Sequence, residues 1–319
     1  MPNISDIRFH IKSVAQTRQI TNAMHMVSAA RMRRAMDGIR KNQTYFFRAL
    51  DVVADILDHT DGITHPYLTH RKGEKVAYVV VAGEKGLSGS YNHNVLTMAE
   101  RSMAGRQVAR LFTIGSVAAS HFLHAGLEPD RRFERLAEHQ QLEPVRRLAE
   151  ILTDLYDSGE IDELRIVYTR FINTLTREPT EQKLLPLEPD DLKKYRTPVE
   201  QRSRGDILYE PSPAEVLNTL IPQLLIGYLY GAIVNAYASE NCSRMTAMES
   251  ATRSADKMLD KLTQQYHTLR QLTITNELAD IIGAANATQA VSAAQTSNAA
   301  KTTGAQPPKN ASESEEKRK

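Results

Sequence analysis

Met248-Glu249-Ser250-Ala251-Thr252-Arg253-Ser254-Ala255-Asp256-Lys257-Met258-Leu259-Asp260-Lys261-Leu262 is the stretch that decides the fold of this chain. Met248, Ala251, Ala255, Met258 and Leu262 recur at alternating three- and four-residue steps, and Leu269 and Leu272 continue the series. Gln265 and Asn276 are polar members of the same register. Alanine on such a seam lets a partner helix approach closely, and a buried polar residue can set the register. Ser212-Pro213-Ala214-Glu215 has the pattern of a capping box with proline at the first helical position. From Gln223 to Gln306 there is no proline. A helix from Leu224 to Ile282 would be about 90 Å long. Few globular domains hold such a helix alone, so a second long helix is expected beside it.

The N-terminal segment supplies the candidate. Asn3 can cap a helix, with Asp6 facing its positive end. No glycine or proline occurs from Asn3 to Asp37. Ile4, Ile7, Ile11 and Val14 keep heptad spacing. At Arg18 the apolar register breaks, and Ile20, Met24 and Val27 carry a shifted stripe. Such a shift is expected where the packing partner changes along a helix. Residues 1–50 carry nine bases and two acids, a local charge of +7. Residues 128–165 carry eleven acids and six bases, a local charge of −5.

Between the helices the period changes. Val76-Ala77-Tyr78-Val79-Val80-Val81-Ala82 is a continuous apolar run, as in a strand buried on both faces. Further strands are expected at 108–114 and 164–172, and helices at about 92–103 and 144–159. Alternating strands and helices argue for an α/β layer domain. The expected fold class is therefore α/β: a long antiparallel coiled coil of the terminal helices plus a central Rossmann-like α/β domain. Its segments are residues 1–60, a shaft helix; 75–195, the α/β domain; 212–285, the second shaft helix; and 286–319, a tail. The tail has Val291 as its only apolar side chain larger than alanine and is expected to be disordered.

Composition narrows the function. Hydrophobic and charged fractions of 41% and 24% exclude collagen-like and wholly disordered classes. A net charge of +2 argues against a nucleic-acid coat. One cysteine, Cys242, permits no internal disulfide or cysteine-built zinc site and fits a reducing compartment. Leu220–Ala238, the most apolar stretch, is interrupted by Pro222, Gly227, Asn235 and three tyrosines and does not read as a membrane span. The N-terminus has no apolar core of a secretory signal.

The chemistry-bearing motifs are weak. Gly83-Glu84-Lys85-Gly86-Leu87-Ser88-Gly89-Ser90 follows a strand and precedes a helix, where phosphate loops occur, yet it matches neither phosphate-loop pattern. It is read as a strand-to-helix turn. The pairs His121/His124 and His65/His70 have no carboxylate or cysteine cluster of metal-ligand type nearby. Cys242 is read as a packing residue. Arg31, Arg33 and Arg34 form a basic cluster that fits a solvated face, an anionic surface or a carboxylate-lined protein groove.

Ile11-Lys12-Ser13-Val14, Gln19-Ile20-Thr21-Asn22-Ala23-Met24-His25-Met26-Val27-Ser28-Ala29-Ala30, Ala238-Ser239-Glu240-Asn241, Arg244-Met245-Thr246-Ala247-Met248 and Ile274-Thr275-Asn276-Glu277-Leu278 together resemble the γ subunit of F-type ATP synthase. Gly86-Leu87-Ser88-Gly89-Ser90-Tyr91-Asn92 resembles a glycine-rich loop of that family, with Ser88 in place of the usual cysteine. The similarity covers about residues 1–285. Cys242 stands where alanine is usual, and the lack of a second cysteine excludes the thiol switch of chloroplast relatives.

The resemblance implies a rotor shaft without a catalytic site of its own. It would stand within a ring of α and β subunits and contact the ε subunit and the membrane c-ring. It would bind no cofactor, metal or nucleic acid, and would be peripheral on the cytoplasmic side of a bacterial membrane. Met24, Arg244, Gln271, Thr275 and Glu277 are the implied coupling residues. Arg31, Arg33 and Arg34 would face acidic groups of β or polar loops of the c-ring. A nucleotide-binding enzyme centred on 75–190 and an unrelated coiled-coil scaffold are the alternatives.

Overall fold

The computed structural model describes residues 3–59, 65–71, 73–139, 141–188 and 209–302. Helix α1 runs Ile4–His59. It is followed by β1 (Lys75–Val81), α2 (Tyr91–Met103), β2 (Gln107–Ile114), α3 (Ser116–His124), α4 (Leu136–His139) and α5 (Leu142–Asp157). Strands β3 (Glu163–Phe171) and β4 (Arg177–Leu185) precede the 90-residue α6, Pro213–Thr302. Both expected caps form. Asn3 Oδ1 accepts from the Ser5 amide, and Ser212 Oγ from the Glu215 amide.

The sheet order is β2-β1-β3-β4. β1 pairs parallel with β2 and β3, and β3 pairs antiparallel with β4. β1 is buried on both faces, as its apolar run requires. Ala77, Val79 and Val81 point into a core shared with α5, α1 and α6, whereas Val76, Tyr78 and Val80 face α2 and α3. β4 and α3 went unread in the sequence. β4 (Arg-Glu-Pro-Thr-Glu-Gln-Lys-Leu-Leu) is an edge strand, where Pro179 is tolerated and charges pair across the ladder, as in Arg165–Glu181 and Arg170–Glu178.

The chain divides into two compact units, Gln16–Ala255 and Met1–Ala15 with Asp256–Lys319. Leu50, Val53 and Ile56 of α1 and Leu217, Ile221, Leu224 and Leu229 of α6 belong to the same core as the sheet. Burial of each such side chain is worth about 1.5–3 kcal/mol, so these helical segments and the sheet fold as one body. The same packing explains the apolar window of α6. By length and composition that helix could cross a membrane, but its apolar face is spent on this core.

Within each unit the helices run antiparallel. In the larger unit Thr21 meets Thr252, Ala35 packs with Val234 and Ala238, and Phe46 meets Tyr228 edge-on. In the smaller, the Arg8 guanidinium donates to the Tyr266 hydroxyl at 2.8 Å. The register differs from the apolar reading. On α1 the shielded line keeps heptad spacing through Ile4, Ile7, Ile11, Val14, Thr21, His25, Ser28, Met32 and Ala35, interrupted only at the exposed Arg18. Ile20 and Val27 lie off it, 60% and 50% exposed. There is no shifted stripe in the seam; the seam turns polar, and the apolar residues turn outward. On α6 the seam keeps Met248, Ala255, Leu262 and Leu269, but its alternate members are Thr252, Leu259, Tyr266 and Thr273. Met258 and Leu272 are 53% and 54% exposed, and Gln265 and Asn276 are exposed as well. A polar contact lies on this seam. The Thr21 and Thr252 hydroxyls lie 2.8 Å apart; each has one proton, so one hydroxyl donates to the other, which in turn donates to a carbonyl of its own helix, Met248 for Thr252 or Arg18 for Thr21.

α6 runs past the expected end of the shaft helix at residue 285 to Thr302; no proline intervenes, and alanine favours helix. Residues 189–195 of the expected α/β segment and 303–319 of the tail lie outside the described residues. The seam assignment is testable. Leu259→Ser should cost about 1–2 kcal/mol and Met258→Ser under about 0.5 kcal/mol, read as urea midpoints of the full chain.

Candidate functional site

Helix α6 is enclosed on three sides between Ala238 and Arg244. Ala238 packs on Ala35 of α1. Ser239 Oγ donates to the Thr169 carbonyl of β3 at 3.1 Å. Cys242 is buried, as its packing role required; Arg177 Nη1 donates to its sulfur at 3.1 Å. On the third side Glu240 and Arg244 meet the loop between β1 and α2. Arg244 Nη2 lies 2.5 Å from Glu240 Oε1 and donates to the carbonyls of Lys85 at 3.2 Å and Gly86 at 3.3 Å. Two N–H groups on that nitrogen are shared among three acceptors.

The loop is tied at several further points. The Gly83 amide donates to Asn92 Oδ1 at 2.8 Å, and Ser116 Oγ donates to the Glu84 carbonyl at 2.5 Å. Gly83 lies close to the pair: a Cβ there would lie 2.8 Å from Glu240 Oε1 and 2.9 Å from Asn92 Oδ1, and these side-chain ends would have to shift. Leu87 is held at φ 64°, a left-handed conformation unfavourable for leucine. A phosphate loop turns its amides toward an anion. Here Lys85 and Gly86 turn carbonyls toward a cation, so the motif serves as a docking loop.

Glu240 and Arg244 are 5% and 8% exposed. Burial pushes the Glu240 carboxyl above the usual carboxylate range. The Arg244 charge and hydrogen bond oppose this, Glu84 adds to it, and Arg31 opposes it more weakly. Removing one partner of a buried pair leaves the other uncompensated, at a cost of about 3–5 kcal/mol.

A cavity of about 360 Å³ opens beside the pair, its wall including Met24, Arg31, Glu84, Lys85, Glu240 and Arg244. The structure thus brings together Met24, Arg31 and Arg244 of the sequence-derived candidates. Met24 is half-buried, and Arg31, Arg33 and Arg34 are exposed. Arg33 and Arg34 do not line the cavity. Arg244 is turned inward onto its own chain. Gln271, Thr275 and Glu277 lie exposed in the other unit, where Thr275 Oγ1 donates to the Gln271 carbonyl at 2.9 Å. Glu240 was missed as a site residue. Its signal was present as the four-residue spacing from Arg244, which places both on one helix face.

Residues 3–288 match the family described as ATP synthase. The chain belongs to the ATP synthase gamma chain family. The "ATP synthase gamma chain" of Ruminiclostridium cellulolyticum is 37% identical over 295 residues, covering 90% of this chain and 99% of that protein. The "ATP synthase gamma chain, sodium ion specific" of Acetobacterium woodii is 33% identical over 297 residues, covering 89% and 98%. The fold is also that of a chain in the Euglena gracilis mitochondrial ATP synthase (OSCP/F1/c-ring, rotational state 3). That chain has a TM-score of 0.58 and 16% identity, with 91% of this chain and 95% of that one covered. Other gamma chain features fall into place on this structure. The Ala238–Met248 motif that carries the likeness is the segment at which α6, α1, the β3–β4 hairpin and the docking loop converge.

The raised Glu240 carboxyl gives a signed pH dependence. Its stabilising contribution is fully present below the unfolded value near 4.5 and is lost as pH rises through the higher folded value. The stability of the native chain relative to Glu240→Gln should therefore be greatest below pH 4.5 and decline on raising the pH. Urea midpoints of both proteins across that range check the sign.

Proposed function

We propose that this gamma chain is the central rotor shaft of an F-type ATP synthase, coupling ion-driven rotation to ATP synthesis or hydrolysis on neighbouring subunits. One observation supports this reading beyond family membership. Between Thr21 and Ala35 the α1 seam is mostly small and polar, and both helices carry apolar side chains on their outer faces. Ile20, Met26 and Val27 are exposed on α1, and Ile274, Leu278, Ile281 and Ile282 on α6. Exposed apolar runs of this kind call for a surrounding partner. In this reading the α and β subunits surround the helices, and the ε subunit and c-ring contact the α/β region. ATP chemistry belongs to β, and the chain acts as a non-catalytic subunit, peripheral on the cytoplasmic side of a bacterial membrane.

The physical requirement on such a shaft is strict. Each orientation must interact differently with open and closed β sites; equal interaction would shift no population. Gln271, Thr275 and Glu277 are suited to that role by exposure. Gln271 and Thr275 share a face with Leu278 and Ile282 at helical spacing. Met24 acts at the cavity wall, and a thioether there packs without a fixed charge. Arg31, Arg33 and Arg34 offer a basic surface to β carboxylates or c-ring loops.

The deciding experiment is native-complex electrophoresis of the chain with its co-purifying partners. A complex of several hundred kilodaltons with ATPase activity is expected, and its absence would sink the rotor reading. Met24→Lys should assemble normally yet pump fewer ions per ATP, because a new cation pairs with carboxylates in one orientation only. Undiminished ATP-driven ion uptake in vesicles would count against a coupling role for Met24.

A further inference from the structure

We infer that Glu240 is a positioning residue, which holds the Arg244 guanidinium on the Lys85 and Gly86 carbonyls and so locks the β1–α2 loop to α6. The inference deepens the rotor reading and rests on it. The large apolar core that joins α6 to the sheet ends at Ala236. Glu240 and Arg244 lie on the next turns, where α6 leaves that core. Apolar contact resists separation of two surfaces but has little directional preference. A charge-assisted hydrogen bond has fixed geometry. A helix that must turn with its domain needs the second kind of contact where apolar support ends.

Three features show that the contact is built rather than incidental. Gly83 lacks the Cβ that would collide with Glu240 Oε1. Leu87 keeps a strained backbone conformation, which persists only where the surroundings over-determine it. The adjoining cavity leaves the guanidinium room to swing away if the carboxylate no longer draws it in. The other charged groups facing this cavity are Arg31 of α1 and Glu84 and Lys85 of the loop itself. Neither Glu84 nor Lys85 can replace Glu240 as a tether, because each moves with the loop that must be held.

The test uses the complete complex reconstituted in vesicles, with native chain, Glu240→Ala or Glu240→Gln. Failure of the native chain to support ATP-driven ion uptake would overturn the rotor reading itself. With native uptake established, Glu240→Ala should assemble and hydrolyse ATP within about twofold of native, while ion uptake per ATP falls about threefold or more. Glu240→Gln, of the same shape, should fall less, because its amide oxygen still accepts from Arg244. Native uptake per ATP in both variants would overturn the inference, as would losses of hydrolysis and uptake that run parallel with assembly. If Glu240→Ala does not assemble, Glu240→Gln decides: reduced uptake per ATP supports the inference and unchanged uptake overturns it.

Discussion

Beside the sheet, the approach of the two long helices rests on small residues. Ala35 and Ala238 are fully enclosed where α1 meets α6. Gly227 leaves space that the Phe46 ring fills, and a Cβ there would lie 2.7 Å from it. Small residues bring little apolar area, so the seam borrows specificity from polar contacts, such as the hydroxyl pair Thr21–Thr252. Larger apolar side chains are then free to face outward. The surface available to other subunits is a consequence of how the helices pack on each other.

The same economy shapes the junction with the sheet. Below Ala236, aliphatic side chains from α1, α5, α6 and all four strands merge in one core. Beyond it the contacts become directional: Ser239 to the Thr169 carbonyl, Arg177 to the Cys242 sulfur, and Glu240 with Arg244 to the loop. A buried ion pair is a weak source of net stability, because desolvation offsets its attraction. Its value lies in orientation, since a guanidinium with defined acceptors has few alternative poses. That is the property needed where a rotating element must not slip against its base.

Much of the architecture was legible in the chain. The capped starts at Asn3 and Ser212, the β1 run and the heptads of both helices all gave elements that the structure contains. Where the reading departed from the structure, a single assumption was responsible: that apolar residues mark the buried face. It put Ile20, Met258 and Leu272 in the seam, though each is exposed. It also hid β4, where Glu178 and Glu181 find cross-strand partners in Arg170 and Arg165, and the helical continuation to Thr302. Glu240 escaped for a related reason. A charged residue within a long helix reads as solvent-facing until a loop distant in sequence is placed against it.

The sequence by itself determined two long capped helices, a strand-helix layer between them, and motifs that name the family. These depend on local spacing and propensity, which one chain displays in full. The tertiary structure alone decided which heptad members face inward, how the chain divides into units, and that Arg244 turns inward rather than outward. Those outcomes depend on pairings across long sequence separations, such as Thr21 with Thr252 and Arg244 with Lys85. Each joins groups that no local pattern brings together.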